Sequence, residues 1–535
     1  MRRSLFMDEL IHTITERFFV VLLTLSFVGC LSQQPEAGPP EEGIEPPEEP
    51  PEVLACKGSP FGFHTARTLP TRLAGTPRAE IDKMNINFYE DAQYIGVTWE
   101  RPGLYCHWII IQPTKQDIDN GIFHWELTDD MYRGIPETIC ILGNIGLPER
   151  VLPNSWELTD PEESYIQFVK TVVERYDGDG IDDMPGLWNP VLYWQVENEP
   201  DFHRDWQGYT HIQEITYTAV KEACPECQVL LGGMSGGGIP VFEKFYNPIL
   251  NQLNGDYIDI FDFHWYGNAF GDYRGVKTVY EVIRKALDET GFTETDIWIT
   301  ETGTYSGSPF RWEEQSEQDQ ARDVAKRYVY PLSFGVKKVF WAWALQEGFK
   351  HDNGFFDHTG FIYDGEYPDD LGRGEKKLSY YTYKKMTEIL KGCDWDSMET
   401  LSESDLCIFK VSKDGNPVYV IWWDYFHLSF PLPEKPVSLH VGSNKEFMLT
   451  EAVPYFQRGI DVDNYETAFT THVLQPEKGT LTFTIGKNPV YLVEVDRVHH
   501  LRPLDWVSLI IFIDAGIFIL NFSISLNIGK INRKQ

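Results

Sequence analysis

The octapeptide Tyr193-Trp194-Gln195-Val196-Glu197-Asn198-Glu199-Pro200 runs from aromatic and β-branched residues into a cluster of acidic and amide side chains, then stops at a proline. Val191 to Val196 has the content of a buried strand, and Pro200 cannot continue a ladder. Trp298-Ile299-Thr300-Glu301-Thr302-Gly303 has the same build, with Glu301 at the end of a strand over Ile297 to Thr300. Six similar runs surround these two: Pro60 to His64, Ile95 to Trp99, Thr138 to Leu142, Val229 to Gly232, Ile258 to His264 and Val339 to Trp343. Helical spacing separates several of them. Tyr165, Phe168, Val169, Val172, Val173 and Tyr176 recur at that spacing before the fourth strand, and Val279, Val282, Ile283, Ala286 and Leu287 before the seventh, where Gly291 supplies a stop. Strands that alternate with helices predict a parallel sheet wrapped by helices, and eight strands predict a (β/α)8 TIM barrel over residues 56–392. Tyr105 to Met131 is long and mixed, so the first three strands are the least sharply bounded.

Past a helix at about Lys377 to Leu390 the pattern changes. Cys407 to Val411, Val418 to Trp423 and Leu481 to Ile485 alternate with turn residues, which predicts a C-terminal antiparallel β-sandwich over 393–497. One barrel and one smaller domain account for most of the 535 residues. The net charge of −35 would repel phosphate backbones and anionic lipid, which argues against nucleic acid as a partner.

The ends of the chain carry separate signals. Residues 1–30 read as an export signal, with Arg2 and Arg3 ahead of an apolar run from Phe18 to Val28. Asp8, Glu9 and Glu16 interrupt the basic leader, so either translation starts at Met7 or the segment stays as an uncleaved anchor. Phe27-Val28-Gly29-Cys30 resembles a bacterial lipoprotein cleavage box, which implies Cys30 as the lipidated residue. Residues 31–55, mostly Pro, Glu and Gly, form a tether that cannot bury enough apolar area to fold. In the tail 498–535, the stretch 506–528 is long enough to span a bilayer, although Asp514 opposes insertion by about 2.5–3.5 kcal/mol. The expected location is extracellular or at the cell surface, with membrane attachment through an N-terminal lipid or a C-terminal helix. Of the seven cysteines after Cys30, Cys393 and Cys407 are the favoured disulfide pair as a short local loop. Cys224-Pro-Glu-Cys227 lacks the second half of a zinc site and points to a local structural role.

Glu199 and Glu301 both stand at the C-terminal end of a predicted barrel strand, where the βα loops form the open face of an otherwise packed core. Two such carboxylates suit glycoside hydrolysis, one protonated to give its proton to the leaving oxygen and one ionised to attack the anomeric carbon. The chain here resembles clan A of the glycoside hydrolases over roughly residues 57–392, through Asn198-Glu199-Pro200 on strand four and Glu301 ending strand seven. Families five and thirty-nine are the most similar. The resemblance implies Glu199 as acid/base, Glu301 as nucleophile and Asn198 as a contact for the sugar 2-hydroxyl. It also implies that Arg101 holds the nucleophile ionised, and that Tyr266, in His264-Trp265-Tyr266, bonds the nucleophile on the same face as His264. Trp343 or Trp341 on strand eight would floor the sugar pocket. Glu197 is the rival carboxylate and reads as a surface or loop residue. The substrate class is a β-linked oligo- or polysaccharide. Two alternatives stay open: a non-catalytic glycan-binding surface protein, and a transglycosylase.

Asp177-Gly178-Asp179-Gly180-Ile181-Asp182-Asp183 looks like half of a calcium loop, with Asp177, Asp179 and Asp183 as the carboxylates. Ile181 takes the third ligand position and no Glu closes the loop, so a solvated acidic turn is the favoured reading. The sequence contains no phosphate-cradling or dinucleotide fingerprint, and the proposed chemistry needs no cofactor.

Overall fold

The computed structural model describes residues 58–66, 88–147, 162–426 and 434–495, and the backbone alone of 509–513 and 516–520. The predicted export segment with Cys30 and the 31–55 tether lie outside the described residues.

The barrel strands are β1 Phe61–His64, β2 Trp99–Glu100, β3 Cys140–Gly146, β4 Tyr193–Val196, β5 Gln228–Leu230, β6 Ile260–Tyr266, β7 Asp296–Gly303 and β8 Val336–Ala342. All pair in parallel. The ring is closed, because β1 meets β2 with Gly62 beside Trp99 and also meets β8 with Phe61 beside Val339. A two-residue strand, Cys106–His107, extends the edge of β3 next to Ile145 and Gly146. Every predicted strand has a counterpart. The start that moves furthest is that of the second, where Ile95 ends the helix Tyr89–Ile95 and the strand begins only at Trp99. Gly96, left-handed at φ 85°, closes that helix through its N–H to Ala92 and Gln93, so an apolar run that reads as strand belongs partly to a helix end.

The barrel interior is layered. Trp99, Leu142, Tyr193, Leu230, Ile260, Trp298 and Phe340 form an apolar plug, with the Trp99 ring 4.9 Å from Tyr193 and 5.2 Å from Trp298. Side chains on a strand alternate with period two, so the residue two further along each strand also points inward. Asn144, Gln195, Asp262 and Thr300 occupy those positions; they are buried and hydrogen-bonded to one another. One more step reaches His264, and another Tyr266. The strands thus pass from an apolar floor through a polar net to the residues of the barrel mouth.

After the helix Leu378–Leu390 come β9 Cys393–Glu403, β10 Leu406–Lys413, β11 Asn416–Trp423, β12 Lys435–His440, β13 Glu446–Glu451, β14 Thr471–Leu474, β15 Thr480–Ile485 and β16 Val490–Val495. They form an antiparallel six-stranded sheet in the order β9-β10-β11-β16-β13-β14, and a β12–β15 pair that covers it. The larger sheet is buried on both faces. Ile421, Trp423 and Leu492 pack with Val437, Leu439 and Phe483 between the sheets, while Val420, Trp422 and Tyr491 join the core shared with the barrel. The Trp422 indole N–H donates to the Tyr273 hydroxyl at 2.8 Å, and Tyr273 donates in turn to Asp424 at 2.6 Å. Lys326 donates to the other Asp424 oxygen at 3.0 Å.

Two expectations about this half need correction or restatement. Cys393 and Cys407 are both free, because the β9–β10 register sets Cys393 beside Lys413 and Cys407 beside Glu403, at opposite ends of the hairpin. The disulfide forms instead between Cys224 and Cys227, and Cys140 is also disulfide-bonded. Of the 506–528 stretch, Leu509–Ile513 pairs antiparallel with Gly516–Leu520. Among the described residues no helix is long and apolar enough to cross a membrane.

Candidate active site

Past β4 the chain makes two left-handed steps, at Glu197 (φ 63°) and Glu199 (φ 45°). Each costs about 1–2 kcal/mol for a residue with a Cβ. The Asn144 amide, donating to the Glu197 carbonyl at 2.9 Å, and a bridge between Asn198 and Gly233 hold the turn in place. This turn sends the two glutamates apart. Glu199 projects into the barrel mouth with its side chain 23% exposed. Glu197 is buried, not at the surface as expected, and pairs with Arg204 at 2.9 Å and with His203 at 3.4 Å. Burial alone would raise its pKa, but His203 and Arg204 together hold it below the usual carboxylate value.

Glu301 reaches the same mouth by a different device. Strict alternation from the inward-facing Trp298 and Thr300 would turn Glu301 outward, toward the helices. The β6–β7 register breaks between the pairs Asp262–Trp298 and His264–Glu301, which leaves one extra residue on β7. This bulge re-aims Glu301 inward beside His264.

Both Glu301 oxygens accept. Arg101 Nη1 donates to Oε1 at 2.8 Å and the Tyr266 hydroxyl to Oε2 at 2.7 Å, the pattern of an ionised carboxylate. Arg101 is fully buried and uses its whole fork, with Nε donating to Gln195 at 2.7 Å and Nη2 to Asn198 Oδ1 at 2.6 Å. One guanidinium therefore fixes the β7 glutamate relative to the β4 motif. Burial raises the Tyr266 pKa well above its usual value, and the Glu301 charge adds to that, so the hydroxyl stays a donor.

His264 lies between the carboxylates. Its Nδ1 is 2.8 Å from Glu199 Oε1 and 3.5 Å from Glu301 Oε2, and its Nε2 is 3.3 Å from Thr300 Oγ1. Burial lowers its pKa, yet Glu301 and then Glu199 outweigh that and bring it up to about 9. Asp262, beneath it, is pushed up to about 6, mainly by burial. His64 has the opposite character. Burial, then the Arg101 charge, hold its pKa well below the usual value. The Arg101 carbonyl 2.6 Å from Nδ1 can only accept, so neutral His64 carries its proton there, and Nε2 is left to accept from Tyr105 at 3.2 Å.

The structure thus brings Arg101, Asn198, Glu199, His264, Tyr266 and Glu301 together. Trp343 joins them, half-buried, its ring 3.8 Å from His64 and stacked at 4.0 Å on Phe349. Trp341 does not belong to the floor. Phe340 points into the barrel, so Trp341 points out; it is fully buried against Phe361 and donates its N–H to the Thr359 carbonyl at 2.9 Å. The carboxylates of Asp177, Asp179 and Asp183 lie together but fold back on their own turn, accepting from the N–H groups of Gly178, Asp179, Gly180 and Ile181. Sequence reading missed His64, Asn144, Gln195, Asp262 and Thr300. Counting back in steps of two from His264 and along β3 and β4 would have found Asp262, Asn144 and Gln195.

No protein-family model and no curated protein matches the chain. Solved structures are. A family 39 glycoside hydrolase from the gut symbiont Bacteroides cellulosilyticus WH2 superposes with a TM-score of 0.55 at 18% identity, covering 76% of this chain and 77% of that one. The barrel with its C-terminal antiparallel sheet is a fold that this chain shares with that glycoside hydrolase. A glucosidase from Croceicoccus marinus matches with a TM-score of 0.53 at 15% identity over 83% of this chain and 98% of its own. An α-L-arabinofuranosidase from Thermotoga maritima matches with 0.52 at 11% identity over 82% and 97%.

Proposed function

We propose that this chain is a retaining glycoside hydrolase that cleaves an O-glycosidic bond of a β-linked oligo- or polysaccharide by double displacement. The observation that carries this reading is the spacing of the two carboxylates: an oxygen of Glu199 and an oxygen of Glu301 lie within 4.8 Å of each other. Retaining enzymes hold the pair about 5–5.5 Å apart, whereas inverting enzymes need about 6.5–9.5 Å to admit a water.

The surroundings support a division of roles. Glu301 accepts on both oxygens from Arg101 and Tyr266, so it attacks the anomeric carbon as a carboxylate and forms the glycosyl ester. Glu199, more exposed and 2.8 Å from His264 Nδ1, delivers a proton to the leaving oxygen as the C–O bond breaks. In the second step Glu199 takes a proton from water, the water oxygen bonds to the anomeric carbon, and Glu301 leaves as a carboxylate. Asn198 Oδ1 is committed to Arg101, which presents the amide nitrogen to a sugar hydroxyl. Trp343 offers an apolar ring to the sugar C–H face. Different sugars are named for the proteins that share the fold, so the substrate is defined here by its bond. The leader-like sequence of residues 1–30 and the Cys224–Cys227 disulfide both support an extracellular or cell-surface location for this activity.

Screening nitrophenyl glycosides with β-glucan, mannan and xylan identifies the sugar. On that substrate, Glu199→Gln and Glu301→Gln should each abolish most turnover and leave the fold intact. Azide should rescue a small-residue substitution at Glu301 with inverted product and one at Glu199 with retained product. Full activity in both Gln variants would overturn the assignment.

A further inference from the structure

The chain between β8 and the helix Leu378–Leu390 carries a second convergence of carboxylates. Glu347, Asp364 and Asp370 each offer an oxygen within 4.8 Å of the other two. Glu347 is 1% exposed and Asp364 6%. One oxygen of each is anchored. Lys377 Nζ contacts Glu347 Oε1, the Glu366 N–H donates to Asp364 Oδ1 at 3.0 Å, and the Gly365 N–H donates to Asp370 Oδ2 at 2.9 Å. The opposite oxygens, Glu347 Oε2, Asp364 Oδ2 and Asp370 Oδ1, are buried and find no donor among the described residues.

Buried carboxylate oxygens are normally hydrogen-bonded or bound to a metal, and like charges at this separation repel. We propose that Glu347, Asp364 and Asp370 form a binding site for a hard divalent cation, with Ca2+ the ion that fits. Three carboxylates offset by Lys377 leave two negative charges, which a divalent ion neutralises. The unpartnered donors are all oxygen, which selects hard cations, and Ca2+ tolerates irregular coordination where Mg2+ demands a near-ideal octahedron. His351 and Glu366 lie nearby but are exposed, and His351 Nδ1 is paired with Glu366 at 2.9 Å, so that nitrogen is not offered to the site. Gly348 lets the backbone pass close by, since a Cβ there would sit 2.0 Å from Asp364 Oδ2. Burial, and then Lys377 and the neighbouring aspartates, act on the bare cluster with the net result that Glu347 is raised well above the carboxylate range.

The position gives the cation a purpose. Phe349, two residues beyond Glu347, stacks on Trp343, and Phe355 and Phe356 pack on Tyr266 at 5.8 and 5.0 Å. Cross-linking Glu347 to Asp364 and Asp370 would brace this loop against the active site. The site itself does not depend on the activity proposed above.

The test is calorimetric titration of the full chain, stripped with EDTA, against CaCl2, MgCl2 and ZnCl2. One Ca2+ per chain is expected, with a melting temperature about 3 °C higher at roughly a hundredfold excess over Kd. Asp364→Asn/Asp370→Asn should lose that binding, and Asp177→Asn/Asp183→Asn should keep it. Should the first double variant not fold, the wild type and the second decide alone. No calcium response in the wild type would overturn the site and point to a proton shared between Asp364 and Asp370. Loss of binding in Asp177→Asn/Asp183→Asn would move it to the acidic turn, and tighter binding of Zn2+ would move it to His351. Each outcome is read without any glycoside, so it stands or falls apart from the catalytic reading.

Discussion

Replacing Tyr266 by Phe removes one oxygen atom and leaves the ring where Phe355 and Phe356 hold it. The lost interaction is the 2.7 Å hydrogen bond to Glu301 Oε2. A hydrogen bond to a charged group is worth about 1.5–3 kcal/mol, and each 1.4 kcal/mol corresponds to about tenfold in rate. The two half-reactions should not share that loss equally. When Glu301 attacks, its charge is consumed, so a donor on Oε2 contributes mainly by aiming the other oxygen. When the glycosyl ester breaks, the charge returns to Glu301 and the donor stabilises it in the transition state. Tyr266→Phe should therefore slow the second step by about ten- to a hundredfold and make the glycosyl-enzyme accumulate. Pre-steady-state release of dinitrophenol from an activated glycoside would show this as a burst followed by slow turnover. Melting temperature should fall by little, because the half-buried ring is conserved and His264 Nδ1 still lies 3.5 Å from Oε2. A folded variant with wild-type turnover and no burst would refute the reasoning and reduce Tyr266 to packing at the barrel mouth.

Three further expectations follow from the same geometry. Arg101→Lys keeps the charge but reaches at most one of the acceptors on Gln195, Asn198 and Glu301, so two charge-assisted bonds worth about 1.5–3 kcal/mol each are lost. Its kcat/KM should drop at least a hundredfold, and a value near wild type would show that the fork is not needed. Glu197→Ala strands Arg204 beside a buried cavity and should lower unfolding free energy by about 3–5 kcal/mol in urea, as for a broken buried pair. Its turnover per folded molecule should fall far less than that of Glu199→Gln, and the reverse ranking would exchange their roles. His264 binds its proton more tightly folded than unfolded, so its contribution is complete below pH 6.5 and is lost as pH rises through about 9. The stability difference between wild type and His264→Gln should shrink across that window, which melting curves at successive pH values would record; a constant difference would show that His264 stays neutral.

The strand order and the identity of the two mouth glutamates were legible because each depends on local pattern. Short apolar runs alternate with helical spacing, and a Glu at the end of such a run lies at the open end of the barrel, although which way its side chain points is set by its neighbours. The polar net was less visible. Asn144, Gln195, Asp262 and Thr300 look like ordinary polar interruptions in apolar strands, and their meaning comes from closure, which sets four separate strands facing one another. The same limit misplaced the disulfide, since Cys393 and Cys407 are near in sequence but lie at opposite ends of their hairpin.

Trp341 and Glu301 show how far period-two counting reaches. For Trp341 it is sufficient: Phe340 fills the barrel, so its neighbour must face the helices, and the structure buries it there. For Glu301 the same count gives the wrong face, because Trp298 and Thr300 already point inward. What corrects it is the extra residue that β7 carries opposite Asp262 and His264, and this is a property of the pairing between two strands. The strand supplies the carboxylate, and its neighbour sets the aim. A sequence change that regularised this pairing would keep Glu301 at the strand end and still turn it away from Arg101 and Tyr266.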